Sequence, residues 1–219
     1  MIAITDRCGP AVVNRMKFGL VVLLAGLAGA LSQVASAADS AKIETIALIR
    51  HGEKPPAGLG QLNCQGLNRA LALPAVIRKA FGTPAAIFAP NPSEQKPDND
   101  TLYDYVRPLA TVEPTAIAFG LPIHADIGQL RIDDLRRQLD LPIYHDAVML
   151  VGWEHHQIVP LAKALLQKHG GDPKLVPDWN NDDFDSIFVV KIRRSGSATT
   201  ASFEVSHEGL NGQPTSCPG

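Results

Sequence analysis

The sequence predicts an α/β layered domain, and three observations carry that prediction. Short apolar runs of strand type alternate with longer runs of helical period. The helical runs close on glycines at Gly82, Gly120 and Gly170. The strongest apolar runs stop abruptly at polar or charged residues instead of trailing into neutral loops.

Taken in order, the chain first offers a leader. Residues 16–37, "MKFGLVVLLAGLAGALSQVASA", place Lys17 after a methionine, an apolar run over residues 18–31, and Ala35-Ser36-Ala37 as a small-residue cleavage signal. That run is short for a membrane span, so the segment reads as a secretory signal peptide, with an uncleaved anchor as the alternative. The preceding residues do not resemble the start of such a signal, which points to Met16 as the initiator. The expected division is therefore 1–37 as extension and signal peptide, and 38–219 as the exported domain, periplasmic or secreted.

"IETIALI", residues 43–49, reads as a buried strand. Residues 66–82 have helical spacing through Leu67, Leu71 and Phe81, with Pro74 expected to kink or split the helix. "AAIFA", residues 85–89, is a second short strand. Residues 90–105, rich in Pro, Asn and Asp, read as a functional loop. Residues 108–120 are helical in period, though Pro114 disturbs the middle. "IDDLRRQL" is a short polar helix, and "AVMLVGW", residues 147–153, the strongest internal strand. A helix follows with Ile158, Leu161, Leu165 and Leu166 on one face. "DSIFVVKI" and "ASFEVSH", separated by "RRSGSATT", form a closing hairpin.

Composition narrows the function. The 219-residue chain has 20 basic and 22 acidic residues. Loss of the leader removes Arg7, Arg15, Lys17 and Asp6, leaving 17 basic against 21 acidic residues, net −4. There is no run of Lys or Arg and few aromatics, which argues against nucleic acid and against a membrane partner after cleavage. Any bound anion must be held by a local site. Cys64 and Cys217 survive cleavage. In an oxidising compartment they suggest a disulfide tying the C-terminal tail to the region after the first strand, with two free thiols as the alternative.

The chemistry concentrates where "IALIRHGEKPP" ends its apolar run. In open α/β sheets ligands bind beyond the carboxyl ends of the strands, and Arg50 and His51 occupy that place. An arginine suits an oxyanion through planar paired hydrogen bonds, and a neighbouring imidazole can attack it. Gly52 is expected to let the backbone turn close to a ligand. Arg-His-Gly alone is a weak signal. With "GLNRALALP", "YVRPLATVEPTAIAFGLPI" and "VMLVGWEHHQIVPLAKAL" in that order, the chain resembles the histidine phosphatase superfamily, the phosphoglycerate mutases and acid phosphatases. The resemblance runs from about Ile43 to Leu166.

The resemblance implies a three-layer α/β/α sandwich with a mostly parallel central sheet, phosphoglycerate mutase-like. It implies His51 as the nucleophile that becomes phosphorylated, with Arg50, Arg107 and His155 holding the phosphoryl group. This set also makes physical sense, because phosphoryl transfer asks a protein mainly for positioning and charge neutralisation. His155 at a helix start adds free backbone amides. No metal or organic cofactor is required, and the partner is a small phosphorylated substrate. Oligomeric state is not legible.

Departures matter. Lys54 stands where the acid phosphatase pattern Arg-His-Gly-x-Arg-x-Pro has its second arginine, and His156 stands where that subgroup places a proton-donating aspartate. The mutase-like glutamate has no clear equivalent, since Glu113 falls within a helix. Glu154 is the first candidate for the general acid, which would require its pKa to be raised. Orienting a neighbour is the alternative role, and a site with no dedicated acid, acting on a good leaving group such as a phosphoramidate, is the third. Glu53 and Lys54 border the expected pocket or pair with each other. Asn91 and Ser93 could donate to phosphate or cap a turn, and His156 lies at the same helix start. "WNNDDFD", residues 179–185, lacks the glycine and terminal glutamate of a calcium loop and reads as a turn. The reading is a phosphatase working through phosphohistidine. Its rivals are a non-catalytic phospho-ligand binding module and, less favoured, a phosphomutase.

Overall fold

The apolar run at residues 43–49 extends by a residue at each end into β1, Lys42–Arg50. In the computed structural model, which describes residues 41–219, β1 lies inside a six-stranded sheet. The leader and the Met16 start fall outside the described residues. The remaining elements are α1 (Cys64–Phe81), β2 (Ala86–Phe88), β3 (Gln95–Asp98), β4 (Thr101–Asp104), α2 (Arg107–Phe119), β5 (Ile123–His124), α3 (Ile132–Leu139), β6 (Val148–Trp153), α4 (His155–Lys168), β7 (Ser186–Ser195) and β8 (Ala198–His207). No helix among them is long and apolar enough to cross a membrane.

The sheet order is β5-β2-β6-β1-β7-β8. The first four strands are parallel to one another, and β7 and β8 close the far edge as an antiparallel hairpin. The expected mostly parallel sheet is found. Because β1 and β6 are covered on both faces, they read as continuous apolar runs without alternation. Ala47, Ile49 and Leu150 pack on one face with Leu73 and Ile77 of α1 and Val112 and Ala116 of α2. Ile46, Leu48, Met149, Val151 and Trp153 pack on the other with α3 and α4, where Ile158, Leu161, Leu165 and Leu166 are fully buried. These are the three layers.

Pro74 and Pro114 do not split their helices, and α4 likewise runs through Pro160. An internal proline forfeits one backbone bond, but burial of the face that carries Leu73 and Ile77, or Val112 and Ala116, holds the turns on either side. Asn63 caps α1 by accepting from the Gly66 amide at 2.8 Å.

Residues 90–105 are not plain loop. They contain the two-stranded hairpin β3–β4, turned at Asn99 and Asp100, whose φ values are 49° and 64°. Two positive φ values are what a two-residue hairpin turn of this hand needs, and Asn and Asp tolerate them. The strand β5 is also additional to the sequence reading, being only two residues long. In the closing hairpin the strands run through most of "RRSGSATT", leaving Gly196 and Ser197 as the turn.

Candidate active site

Register brings the site together. β1 and β6 pair in parallel so that Arg50 stands beside Trp153, and the His51 amide donates to the Trp153 carbonyl at 3.1 Å. The chain leaving β1 carries Arg50 and His51, and the chain leaving β6 carries Glu154 and His155. Both exit at one end of adjacent strands whose following helices, α1 and α4, pack on opposite faces of the sheet, the crevice geometry expected of this fold class.

His51 is 3 % exposed. Its Nδ1 lies 2.8 Å from the Gly52 carbonyl oxygen, which can only accept, so Nδ1 carries the hydrogen and Nε2 keeps its lone pair. Burial, reinforced by the charges of Arg107, Arg50 and Lys96, pushes His51 down to about 3. It is therefore a neutral imidazole with a free nitrogen.

Arg50 is held by carbonyl oxygens of residues 181 and 183, and its guanidinium lies 3.8 Å from the Phe184 ring centre. The segment read as a turn, residues 179–185, thus grips the first phosphate-binding candidate. Arg107 is the first residue of α2 and buried. A cation at a helix N-terminus works against the helix dipole, a cost that a binding role explains. It pairs with Asp98 of β3, which also accepts from Lys54 at 2.5 Å. Burial raises Asp98, but these two cations outweigh it and hold it below the ordinary carboxylate range.

His155 opens α4 and places Nε2 2.7 Å from Asn181 Oδ1. Its Nδ1 is 3.0 Å from Glu154 Oε1 but misaligned for a hydrogen bond. The first amides of α4 have no acceptor within the helix. Tyr105, fully buried, forms a platform: its ring centre is 6.1 Å from that of His51 and 5.0 Å from both the Arg107 guanidinium and Lys96 Nζ.

Among the described residues, seven buried side-chain polar atoms lack a partner, and four belong to this group: Arg50 Nε, Arg107 Nε, Tyr105 Oη and His155 Nδ1. Buried polar groups are ordinarily satisfied, so a cluster of orphans from two guanidinia, a hydroxyl and an imidazole marks a place for an oxyanion.

Glu154 is buried here, but its protonation runs opposite to the requirement set for a general acid. Burial pushes it up, yet the contact with His155 and the charges of Lys96, His155 and His156 hold it at about 2. It is a carboxylate. Glu154, His155 and His156 bring possible metal-ligand atoms within 4.8 Å of one another. Three cations nearby, Arg50, Arg107 and Lys96, oppose a further positive charge.

Several expected pocket residues are placed elsewhere. Glu53 turns into the fold and binds Arg69, with Nε at 3.0 Å and Nη2 at 2.8 Å, so it neither lines the site nor pairs with Lys54. Gly52 donates to Thr111 Oγ1 at 2.9 Å, and its missing Cβ makes room for Gly66 of α1, whose Cα would lie 3.0 Å away. Its bareness serves helix packing. Asn91 Oδ1 accepts from the Ser93 amide at 3.0 Å and hydroxyl at 2.8 Å, the turn-capping role. His156 is exposed and stacks on His155 at 4.0 Å between ring centres. It borders a cleft of about 550 Å³ lined also by Val159, Pro160, Asp178, Trp179 and Asn181. Cys64 and Cys217 form a disulfide.

Lys96, Asp98, Tyr105, Asn181 and Phe184 were not picked out from the sequence. Their segments gave the signal, since residues 90–105 read as a functional loop and residues 179–185 stood out in composition; which of their side chains face the site depends on those segments returning to the sheet end.

No family model matches this chain, and no curated protein does. Among solved structures, a Nakamurella multipartita protein assigned as the phosphohistidine phosphatase SixA matches with TM-score 0.52 at 14 % identity, over 75 % of this chain and 96 % of that one. A mycobacterial glucosyl-3-phosphoglycerate phosphatase in complex with inorganic phosphate matches with TM-score 0.49 at 14 % identity, over 74 % and 95 % of the two chains. At such identities the first likeness is one of fold, and it is the fold that the resemblance implied.

Proposed function

We propose that this chain is a phosphatase of the histidine phosphatase superfamily, hydrolysing a phosphate monoester or similar phosphoryl compound through phosphohistidine on His51. The observation that carries the reading is the neutral His51, with Nε2 free, among orphaned donors of Arg50, Arg107, Tyr105 and His155. In the first step His51 Nε2 bonds to phosphorus as the bond to the leaving group breaks. The Gly52 carbonyl, accepting from Nδ1–H, supports the positive charge that develops on the ring. Arg50, Arg107 and His155 neutralise the equatorial oxygens. Water then attacks phosphorus, the P–N bond breaks, and His51 returns to its neutral form. The matched fold of an assigned phosphohistidine phosphatase supports the same class of chemistry.

Glu154, ionised, fits a positioning role toward His155 and Lys96 better than that of a stored proton. The leader sequence and the Cys64–Cys217 disulfide support a site of action outside the cytosol. The binding-module reading retains one observation in its favour, the absence of a protonated carboxyl beside His155 among the described residues.

The test is rapid quench of the mature protein with an aryl phosphate, under conditions that spare phosphohistidine, read by peptide mass. A phosphoryl adduct on the His51 peptide, absent in His51→Ala, is the expected result. Phosphate binding with neither adduct nor product would establish the binding module instead.

A further inference from the structure

The site has a nucleophile and a clamp, but the carboxylate beside it holds no proton. We propose that Lys96, carried in on the β3–β4 hairpin, is the proton donor to the leaving group. This rests on the phosphatase reading above and adds to it the residue that reading lacks.

Lys96 lies on β3, and its Nζ is 3.9 Å from Glu154 Oε1 and 5.0 Å from the Tyr105 ring centre. The same Tyr105 ring centre lies 6.1 Å from that of His51, and the Lys96 charge helps depress the imidazole. The other candidates on that side are less suited. The Tyr105 hydroxyl is fully buried, and burial drives it far above the ordinary phenol range, so it holds its proton and cannot be resupplied from water. Asp98 is committed to Lys54 and Arg107. His156 points into the outer cleft. Lys96 keeps 27 % of its side chain exposed, which leaves a route for proton exchange. The groups facing its ammonium are Glu154 at the end of β6, Arg107 of α2, Asp98 beside it on β3, Lys54 and Tyr105. Burial, with Arg107 and Lys54, favours release of its proton, and Glu154 and Asp98 oppose it.

The step balances without another reactant. As His51 Nε2 bonds to phosphorus and the bond to the leaving oxygen breaks, that oxygen takes a proton from Lys96 Nζ, leaving a neutral amine. In the second step the attacking water gives a proton to the amine as the P–N bond breaks, which restores the ammonium.

A proton donor matters in proportion to the basicity of the leaving group, and this separates donation from simple charge stabilisation. Lys96→Arg keeps the charge but removes a proton that can be given up at neutral pH. With a simple alkyl phosphate, kcat/KM, which reports the phosphorylation step and not the later hydrolysis common to all substrates, should fall about 10²–10⁴-fold, the range general acid catalysis contributes. With an aryl phosphate the fall should be under about 10-fold, and the His51 adduct should still form. Lys96→Gln, which removes the charge as well, should slow both substrates while retaining the larger deficit on the alkyl phosphate. Equal losses in kcat/KM on both substrates in Lys96→Arg would overturn the proposal. So would a leaving-group-dependent loss in Glu154→Gln or His156→Ala that Lys96→Arg does not show. Failure of the phosphatase reading is distinct: the wild-type protein would then give no adduct with the aryl phosphate.

Discussion

Gly66→Ala puts a methyl group between α1 and the loop that carries His51, and two opposed effects decide its outcome. Helix propensity favours alanine over glycine inside a helix by up to about 1 kcal/mol, and Gly66 has no positive φ to forbid it. Against this, the added Cβ would lie 2.8 Å from the Glu53 amide nitrogen and closer still to the Glu53 carbonyl, where ordinary contact begins at 3.4 Å. These are backbone atoms and cannot rotate away, so α1 or the 51–54 segment must shift by more than half an ångström. Overpacking of this kind costs about 1–3 kcal/mol or more. The overlap therefore wins by about 1–2 kcal/mol, and the melting temperature of the 38–219 domain should fall by about 2–8 °C. The same shift displaces His51 and Gly52 relative to Thr111 and the arginines. Misplacement on the scale of an ångström can cost on the order of 10² in rate, so kcat should drop although no reacting group has changed. Thermal melting and phosphate release from an aryl phosphate, on the same preparation, check both. A variant as stable and as active as wild type, or more stable, would refute the claim that the close approach of Gly66 to the Glu53 backbone sets the position of the proposed nucleophile.

Three further outcomes follow from named groups. Arg69 is shared by Glu53, Asp185 and Glu208. Burial, with the neighbouring carboxylates, raises Glu208 to about 8 despite Arg69, so the folded state binds a proton that the unfolded state releases near 4.5. This contribution is complete below about pH 4.5 and is lost as pH rises through 8, so melting temperature should decline over that window, and Glu208→Gln should flatten the decline. His51, held at about 3, should keep the NMR signature of the neutral Nδ1–H form from pH 8 to 5; a midpoint near the ordinary value of 6.5 would contradict its burial and cation surroundings. Cys217→Ser opens a covalent closure spanning 153 residues and should cost about 2–5 kcal/mol, read as a lower denaturant midpoint that reductant reproduces in the wild type.

The parallel strands and their order along the chain were legible because burial on both faces writes them as unbroken apolar runs. The proposed nucleophile was legible because charged residues end such a run at Arg50 and His51. The hairpin at residues 95–104 was not: its strands are polar, short and interrupted by Pro97, so neither alternation nor apolarity marks them. Glu154 was picked out as a general-acid candidate, but the sign of its pKa shift was not foreseeable. Against burial, which raises it, the contact with His155 lowers it first, and Lys96 adds to this from 58 positions earlier in the chain, reaching Glu154 only through the folded hairpin. Glu53 looked like a pocket residue because it follows His51 and Gly52, yet Arg69 draws it into the interior.

By itself, then, the sequence determined the layers, the strand ends and the residues proposed to attack and hold a phosphoryl group, because these follow from local periodicity and from chemistry carried by adjacent positions. The tertiary structure alone decided which cations gather around His51, which carboxylates are spent on Arg69 and Arg107, and that residues 181–184 grip Arg50. Those are through-space quantities, set by burial and by charges a few ångströms apart, between segments far apart along the chain.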